Sequence, residues 1–198
     1  MLNQLLSRHH ACAEAREWAK GYPDLAAAWA VCPRADWMLW LAARGIGKPG
    51  SAAHRRLVLA ACACARHALP RVKPGEARPL AAIEIAERWA RREKGVTIDQ
   101  VRTASAASAA ASDASDAASD AASAASAAAA ASDAAYAAAA AYAASAAAGW
   151  RQQRDKTLAE LADLVRTHYP EPPRFEREIR AAYFGAVVEV PVTDRGAR

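Results

Sequence analysis

The chain has 198 residues, a mass of 20.9 kDa and a formal net charge of +5, from 26 basic and 21 acidic side chains. A chain of this length forms one ordinary domain with a buried core. β-Branched and aromatic residues are too sparse for a β-sandwich or barrel, and four cysteines are too few for a disulfide scaffold. The composition predicts an all-α, Ala-rich bundle of about six to eight helices.

Helix signals begin near the N-terminus. The pattern predicts a first helix over His9–Lys20, followed by a glycine that ends it. Asp24 is a good N-cap for a short helix over Leu25–Val31. Pro33 suits the first turn of the next helix, which we expect to end near Arg44.

Two further helices are predicted before residue 95. Ser51 is expected to cap a helix over Ala52–Leu69. This helix is apolar on all sides from Leu57 to Ala65, which predicts that it lies at the centre of the protein. Pro79 is expected to begin a helix that reaches about Lys94.

An Ala/Ser-rich run occupies the middle of the chain. Thr97 and Gln100 have the spacing of a capping box, and Ile98–Ala148 contains neither Gly nor Pro. Because Ala has the highest helix propensity, the run predicts one or two long central helices, with a break near Ser132-Asp133. Serines recur every three or four residues from Ser105 to Ser126. This helical stripe is expected to face water or a partner.

The C-terminal part carries weaker signals. Thr157–Tyr169 has an amphipathic helical pattern, and Pro170–Pro173 is expected to be extended. A last short helix is predicted over Phe175–Phe184. The single all-α domain therefore covers residues 1–185, and residues 186–198 are expected to form an extended or flexible tail.

No constellation of residues indicates catalysis or a cofactor. Cys62, Cys64 and His67 are the best metal candidates, but two residues apart on a helix the thiols diverge. A structural zinc site needs four ligands, and small buried cysteines are the simpler interpretation. No nucleophile elbow, phosphate-binding loop or zinc-protease motif is present. We expect a protein that is not an enzyme and uses neither a metal nor a cofactor.

The N-terminus lacks a signal-peptide pattern, and no segment has the composition of a membrane span. With cysteines suited to a reducing compartment, these features predict a cytoplasmic protein that does not contact a membrane. Basic residues are concentrated in residues 1–100. They form either solvated helix surfaces or a site for nucleic acid or an acidic protein.

A motif in the second quarter of the chain resembles a known family. Arg78-Pro79, Ile83-Glu84 and Trp89, preceded by Glu76 and followed by an Ala-rich run, resemble the immunity-protein-five-like group of bacterial toxin systems. The segments 32–40 and 165–173 are similar to a variant common among phage and prophage proteins. The resemblance implies a protein partner, either a toxin or another phage- or host-encoded protein.

The candidate binding residues are Asp36, Arg78, Glu84, Arg88 and Trp89. Each also has a structural interpretation: carboxylates cap helices or form ion pairs, and a large aromatic residue usually reports packing. Our first hypothesis is a non-enzymatic helical protein that occludes its protein partner. The alternatives are a nucleic-acid-associated protein that uses the basic half and, more remotely, an ice-binding role for the Ser/Ala face.

Overall fold

A computed structural model describes residues 2–46, 48–72, 74–109 and 151–175, and all structural statements below refer to these residues. They form eight α-helices and one short 3-10 turn, Leu69–Arg71, without a strand. The all-α fold class is thus confirmed. In chain order the helices are α1 (Leu2–Arg8), α2 (Ala13–Ala19), α3 (Leu25–Val31), α4 (Ala35–Gly45), α5 (Ala52–Ala68), α6 (Arg78–Ala90), α7 (Ile98–Ala109) and α8 (Arg151–His168).

Several predictions lie outside the described residues. They are the continuation of the Ala/Ser helix beyond residue 109 with its break near Ser132-Asp133, the later part of the serine stripe, the helix predicted over Phe175–Phe184 and the tail formed by residues 186–198.

The predicted helix caps are confirmed where they can be seen. Asp24 Oδ1 accepts a hydrogen bond of 2.8 Å from the backbone three residues later, and Ser51 Oγ accepts the equivalent bond of 3.2 Å. Thr97 N donates to Gln100 Oε1 at 2.8 Å, and Gln100 N donates to Thr97 Oγ1 at 3.3 Å. These reciprocal bonds form the capping box at the start of α7.

Four predicted helix boundaries are wrong. The helix predicted over Thr157–Tyr169 begins six residues earlier, at Arg151. The expected helix over His9–Lys20 is interrupted, because His10 has a left-handed φ of 59° and separates α1 from α2. The helix expected from Pro33 begins two residues later, at Ala35. Helix α6 ends before Lys94, because Arg92 has a φ of 63° that a right-handed helix does not allow.

The core is built around α5, as its apolar pattern predicted. Leu57, Val58 and Cys62 have no exposed surface, and α5 contacts α4, α6 and α8. Helix α8, distant in sequence, packs against both α4 and α5. The large fully buried side chains include Leu161 of α8 and Ile83 of α6, so the few bulky residues of this Ala-rich chain are collected in one place.

Helix α8 also fixes the position of α3. The indole Nε1 of Trp29 donates to the Tyr169 carbonyl at 2.9 Å, and Arg166 donates to the Cys32 carbonyl at 2.9 Å. The second bond satisfies a backbone acceptor just after the last turn of α3. Together these bonds hold α3, and the chain leading into α4, against the C-terminal part of the core.

The serine stripe begins on the opposite side of the helix from that predicted. Ser105 and Ser108 are buried, with exposures of 8% and 0%, whereas Ala106 and Ala107 are exposed. Helix α7 makes extensive contact with α6. A serine is nearly as small as an alanine and can bond to its own helix backbone, so it fits a close helix interface. The expectation that these two serines face water is wrong.

None of the helices formed by the described residues is long and apolar enough to cross a membrane.

Candidate functional site

The structure divides the five predicted binding residues between two regions. Asp36, in the first turn of α4, lines a groove between α1, α2, α3 and α4. Arg78, Glu84 and Arg88 are exposed on α6 and do not line that groove. The four α6 residues and Asp36 therefore do not form one site.

Arg78 and Arg88 have local ion-pair partners. Arg78 Nε donates to Glu76 Oε1 at 2.8 Å, so Arg78 pairs with the acidic residue two positions before it. The hydrogen bonds from the Arg78 side chain and backbone lower the pKa of Glu76 to about 2. Arg88 Nε donates to Glu93 Oε2 at 2.8 Å. These pairs are exposed, so they are typical of a solvated helix surface.

Trp89 belongs to the buried core. It is 8% exposed, and its ring meets the His54 ring edge-on at a centroid distance of 5.4 Å. The Arg55 guanidinium lies 4.6 Å from the Trp89 ring centroid and also donates to the Trp89 carbonyl. These groups and the core cover most of the indole, which favours the structural interpretation of Trp89; its binding role stays a prediction.

Several basic residues of the first half also make contacts within the protein. Arg66 Nε and Arg91 Nη2 both bond to Glu87, at 2.6 and 3.2 Å, which links α5 to the end of α6. Arg56 lies over the Tyr169 ring, 5.1 Å from its centroid. These cations have intramolecular roles, which weakens the interpretation that they form a nucleic-acid interface.

A groove in the N-terminal part of the protein has walls that come from α1, α2, α3 and α4. It has a volume of about 500 Å³. We call it the α1–α4 groove, and it is lined by Leu2, Leu6, His10, Ala11, Cys12, Glu14, Ala15, Trp18, Ala19, Leu25, Ala28, Trp29, Cys32, Arg34, Asp36, Trp37, Met38, Trp40 and Leu41. Its lining is mostly apolar.

Aromatic side chains dominate the walls of the α1–α4 groove. Four of the six tryptophans line it: Trp18, Trp29, Trp37 and Trp40. The Trp18 and Trp37 rings lie 5.9 Å apart and tilted by 58°, a contact between α2 and α4. Trp37 and Trp40 are only half-buried, because they face this groove.

One charged cluster lies among the apolar walls. Arg34 binds Asp36 through two hydrogen bonds of 2.9 and 2.8 Å, and a third bond of 3.2 Å reaches Glu14 on α2. The hydrogen bonds to Asp36 raise the pKa of Arg34. The guanidinium also lies 4.5 Å from the Trp37 ring centroid. Arg34 thus connects α2 to α4, and the cluster carries two carboxylates for one cation.

The two cysteines that line the groove occupy structural positions. Burial raises the pKa of the Cys32 thiol to about 11, so this lining cysteine is protonated and unreactive at neutral pH. Cys12 serves as the N-cap of α2, where its Sγ accepts from Ala15 N at 3.5 Å. Among the described residues no group of three or more His, Cys, Asp or Glu side chains could hold a metal ion.

Sequence reasoning found only Asp36 among the groove residues that carry charge. It missed Glu14 and Arg34, because ion pairs between α2 and the start of α4 depend on how the helices fold back on each other. A signal was present in the tryptophans, four of which fall within residues 18–40. Such density in an otherwise aromatic-poor chain is typical of a binding surface.

No family model, curated protein or solved structure matches this chain.

Proposed function

We propose that this protein is a non-enzymatic helical binding protein that acts by occluding a protein partner in the α1–α4 groove. The observation that carries the proposal is the groove itself, a mostly apolar and Trp-lined concavity of about 500 Å³. Folded proteins rarely leave a large apolar concavity open without using it to bind something. An inhibitor that works by occlusion needs a preorganised surface and no catalytic group.

The resemblance to immunity proteins suggests the kind of partner. The matching residues Pro79, Ile83 and Trp89 maintain α6: Pro79 stands in its first turn, and the other two are buried. In this proposal the motif builds the scaffold and the groove binds a bacterial toxin. The described cysteines are all free thiols, which agrees with an encounter in a reducing cytoplasm.

A growth-rescue experiment tests this function. The product of the gene immediately upstream is expressed in a bacterial host, alone or together with this protein, and we expect it to stop growth when it is expressed alone. We expect the wild-type protein to restore growth. We also expect Ala15→Leu to abolish rescue, because Ala15 lines the groove and a larger side chain fills it. The matched control is Ala13→Leu, an exposed position on the same helix, which should rescue as well as the wild type.

Two outcomes of the rescue experiment would contradict the proposal. Equal rescue by all three proteins would show that the groove is not the binding site, and failure of the wild-type protein to rescue would contradict the immunity function. Circular dichroism of both variants should match that of the wild type, which establishes that lost rescue reflects a blocked groove.

A further inference from the structure

We infer that the occupant of the α1–α4 groove is an amphipathic α-helix of the partner, which carries a Lys or Arg side chain against Glu14. This inference rests on the proposed function and specifies the chemistry of the bound segment. Three features support it. The described residues offer no β-strand edge that could pair with an extended peptide, the walls of the groove are apolar, and the charged cluster in the groove has a net negative charge.

The backbone of a bound peptide must satisfy its own hydrogen bonds in this site. The described residues contain no strand, so they offer no sheet edge to an extended peptide. The lining is mostly apolar and offers few polar partners. Because a buried N–H or C=O group without a partner is costly, an occupant with internal backbone bonds is favoured. An α-helix bonds its own backbone and presents only side chains to the groove.

The walls specify the buried face of that helix. Trp18, Trp37, Trp40 and Leu41 offer large apolar surfaces, and the volume of about 500 Å³ is in the range of sites that enclose a whole small ligand. It therefore has room for more than one large side chain. Successive turns of a helix place such side chains on one face at positions i, i+3 or i+4, and i+7. Leu, Phe or Trp at those positions would complement the walls.

The charged cluster of Glu14, Arg34 and Asp36 indicates which charge the bound helix carries. Glu14 and Asp36 carry two negative charges against the single positive charge of Arg34, so the cluster has a net charge of −1. Asp36 and Arg34 have exposures of only 13% and 22%, whereas the Glu14 side chain is 70% exposed. Glu14 is thus the group that a partner can reach. A basic side chain beside the apolar face would balance the cluster, and an acidic one would be repelled.

The test is a selection of 16-residue peptides from a random phage-displayed library against the full-length protein. We expect the selected peptides to share large apolar residues at helical spacing and to carry Lys or Arg more often than Asp or Glu. The strongest binder is then synthesised, with a second version in which its basic residues are replaced by Glu. Affinities for both peptides are measured by tryptophan fluorescence.

Four variants locate the binding. Ala15→Leu should weaken the basic peptide by at least about tenfold, and Ala13→Leu should leave its affinity unchanged. Glu14→Gln should weaken the basic peptide about 2- to 5-fold, as expected for one exposed charge pair. Glu17→Gln is the matched control. The Glu17 side chain lies on the same helix, is 72% exposed and also has a basic partner, but it does not line the groove, so this variant should bind the basic peptide as the wild type does.

Several results would overturn the inference. They are the absence of enriched peptides, enrichment of acidic or extended sequences, equal affinity for the two peptide versions, and insensitivity to Glu14→Gln. A self-association that Ala15→Leu abolishes would mean that a second copy of the chain fills the groove. If Ala15→Leu blocks toxin rescue while the charge preference is absent, the proposed function stands and only the basic helix is refuted.

Discussion

Truncation of Trp89 tests whether a few large side chains hold this Ala-rich fold together. The indole packs edge-on against His54 and carries the Arg55 guanidinium on its face, 4.6 Å from the ring centroid. Trp89→Ala removes both contacts. The bond from Arg55 to the Trp89 carbonyl remains available, because its acceptor is a backbone atom. The loss is therefore one of packing and ring contacts.

The magnitude follows from the burial. Trp89 is 8% exposed, so the mutation removes nearly all of the about 200 Å² that a tryptophan buries, which is worth about 5 kcal/mol as an upper limit. Measured Trp-to-Ala and Phe-to-Ala truncations in cores cost about 3–5 kcal/mol. We expect the free energy of unfolding to fall by that amount, and the urea midpoint to fall by about 2 M for a slope of about 2 kcal/mol per M.

Urea unfolding followed by circular dichroism at fixed protein concentration measures this effect, because fluorescence would itself change with the number of tryptophans. The matched control is Trp40→Ala, the same substitution at a half-buried position in the groove wall, which should cost less. A midpoint for Trp89→Ala within about 0.5 M of the wild type would refute the role of Trp89 as a core anchor. So would a larger shift for Trp40→Ala.

Two further predictions concern the contacts between helices. A Cβ atom at Gly45 would lie 2.5 Å from Pro173 Cβ, so Gly45→Ala should destabilise the protein by about 1–3 kcal/mol in urea unfolding, whereas Gly21→Ala, without such a clash, should be neutral or stabilising. Burial raises the pKa of Glu87, but its hydrogen bonds and charge pairing with Arg66 outweigh this effect and leave the pKa below 4.5. Glu87→Gln should therefore cost about 1–3 kcal/mol at pH 7, where the carboxylate is charged. This difference from the wild type should shrink as the pH falls below 4.5 and through the lowered pKa; a difference that is constant with pH would contradict the assignment.

The sequence by itself determined the fold class and most of the local structure. Asp24, Ser51 and the Thr97–Gln100 pair act on backbone groups within three residues, so their effect can be read without knowing the fold. The apolar stretch of α5 also predicted its central position, because a helix without a polar face must be covered on all sides. The break at His10 was missed, because a left-handed residue leaves little trace in hydrophobic periodicity.

Only the tertiary structure decided which surfaces face inward and which residues meet. Ser105 and Ser108 could face water or a neighbouring helix, because Ala and Ser differ too little in polarity for the pattern to choose; in the folded protein both are buried. Trp89 and Trp37 look alike in sequence, yet the first is covered by His54 and Arg55 and the second lines an open groove. The ion pair between Glu14 and Arg34 joins residues 20 positions apart. Such contacts depend on how the helices are placed relative to one another. That placement is determined by the packing energy of the whole core, which no single segment of the sequence contains.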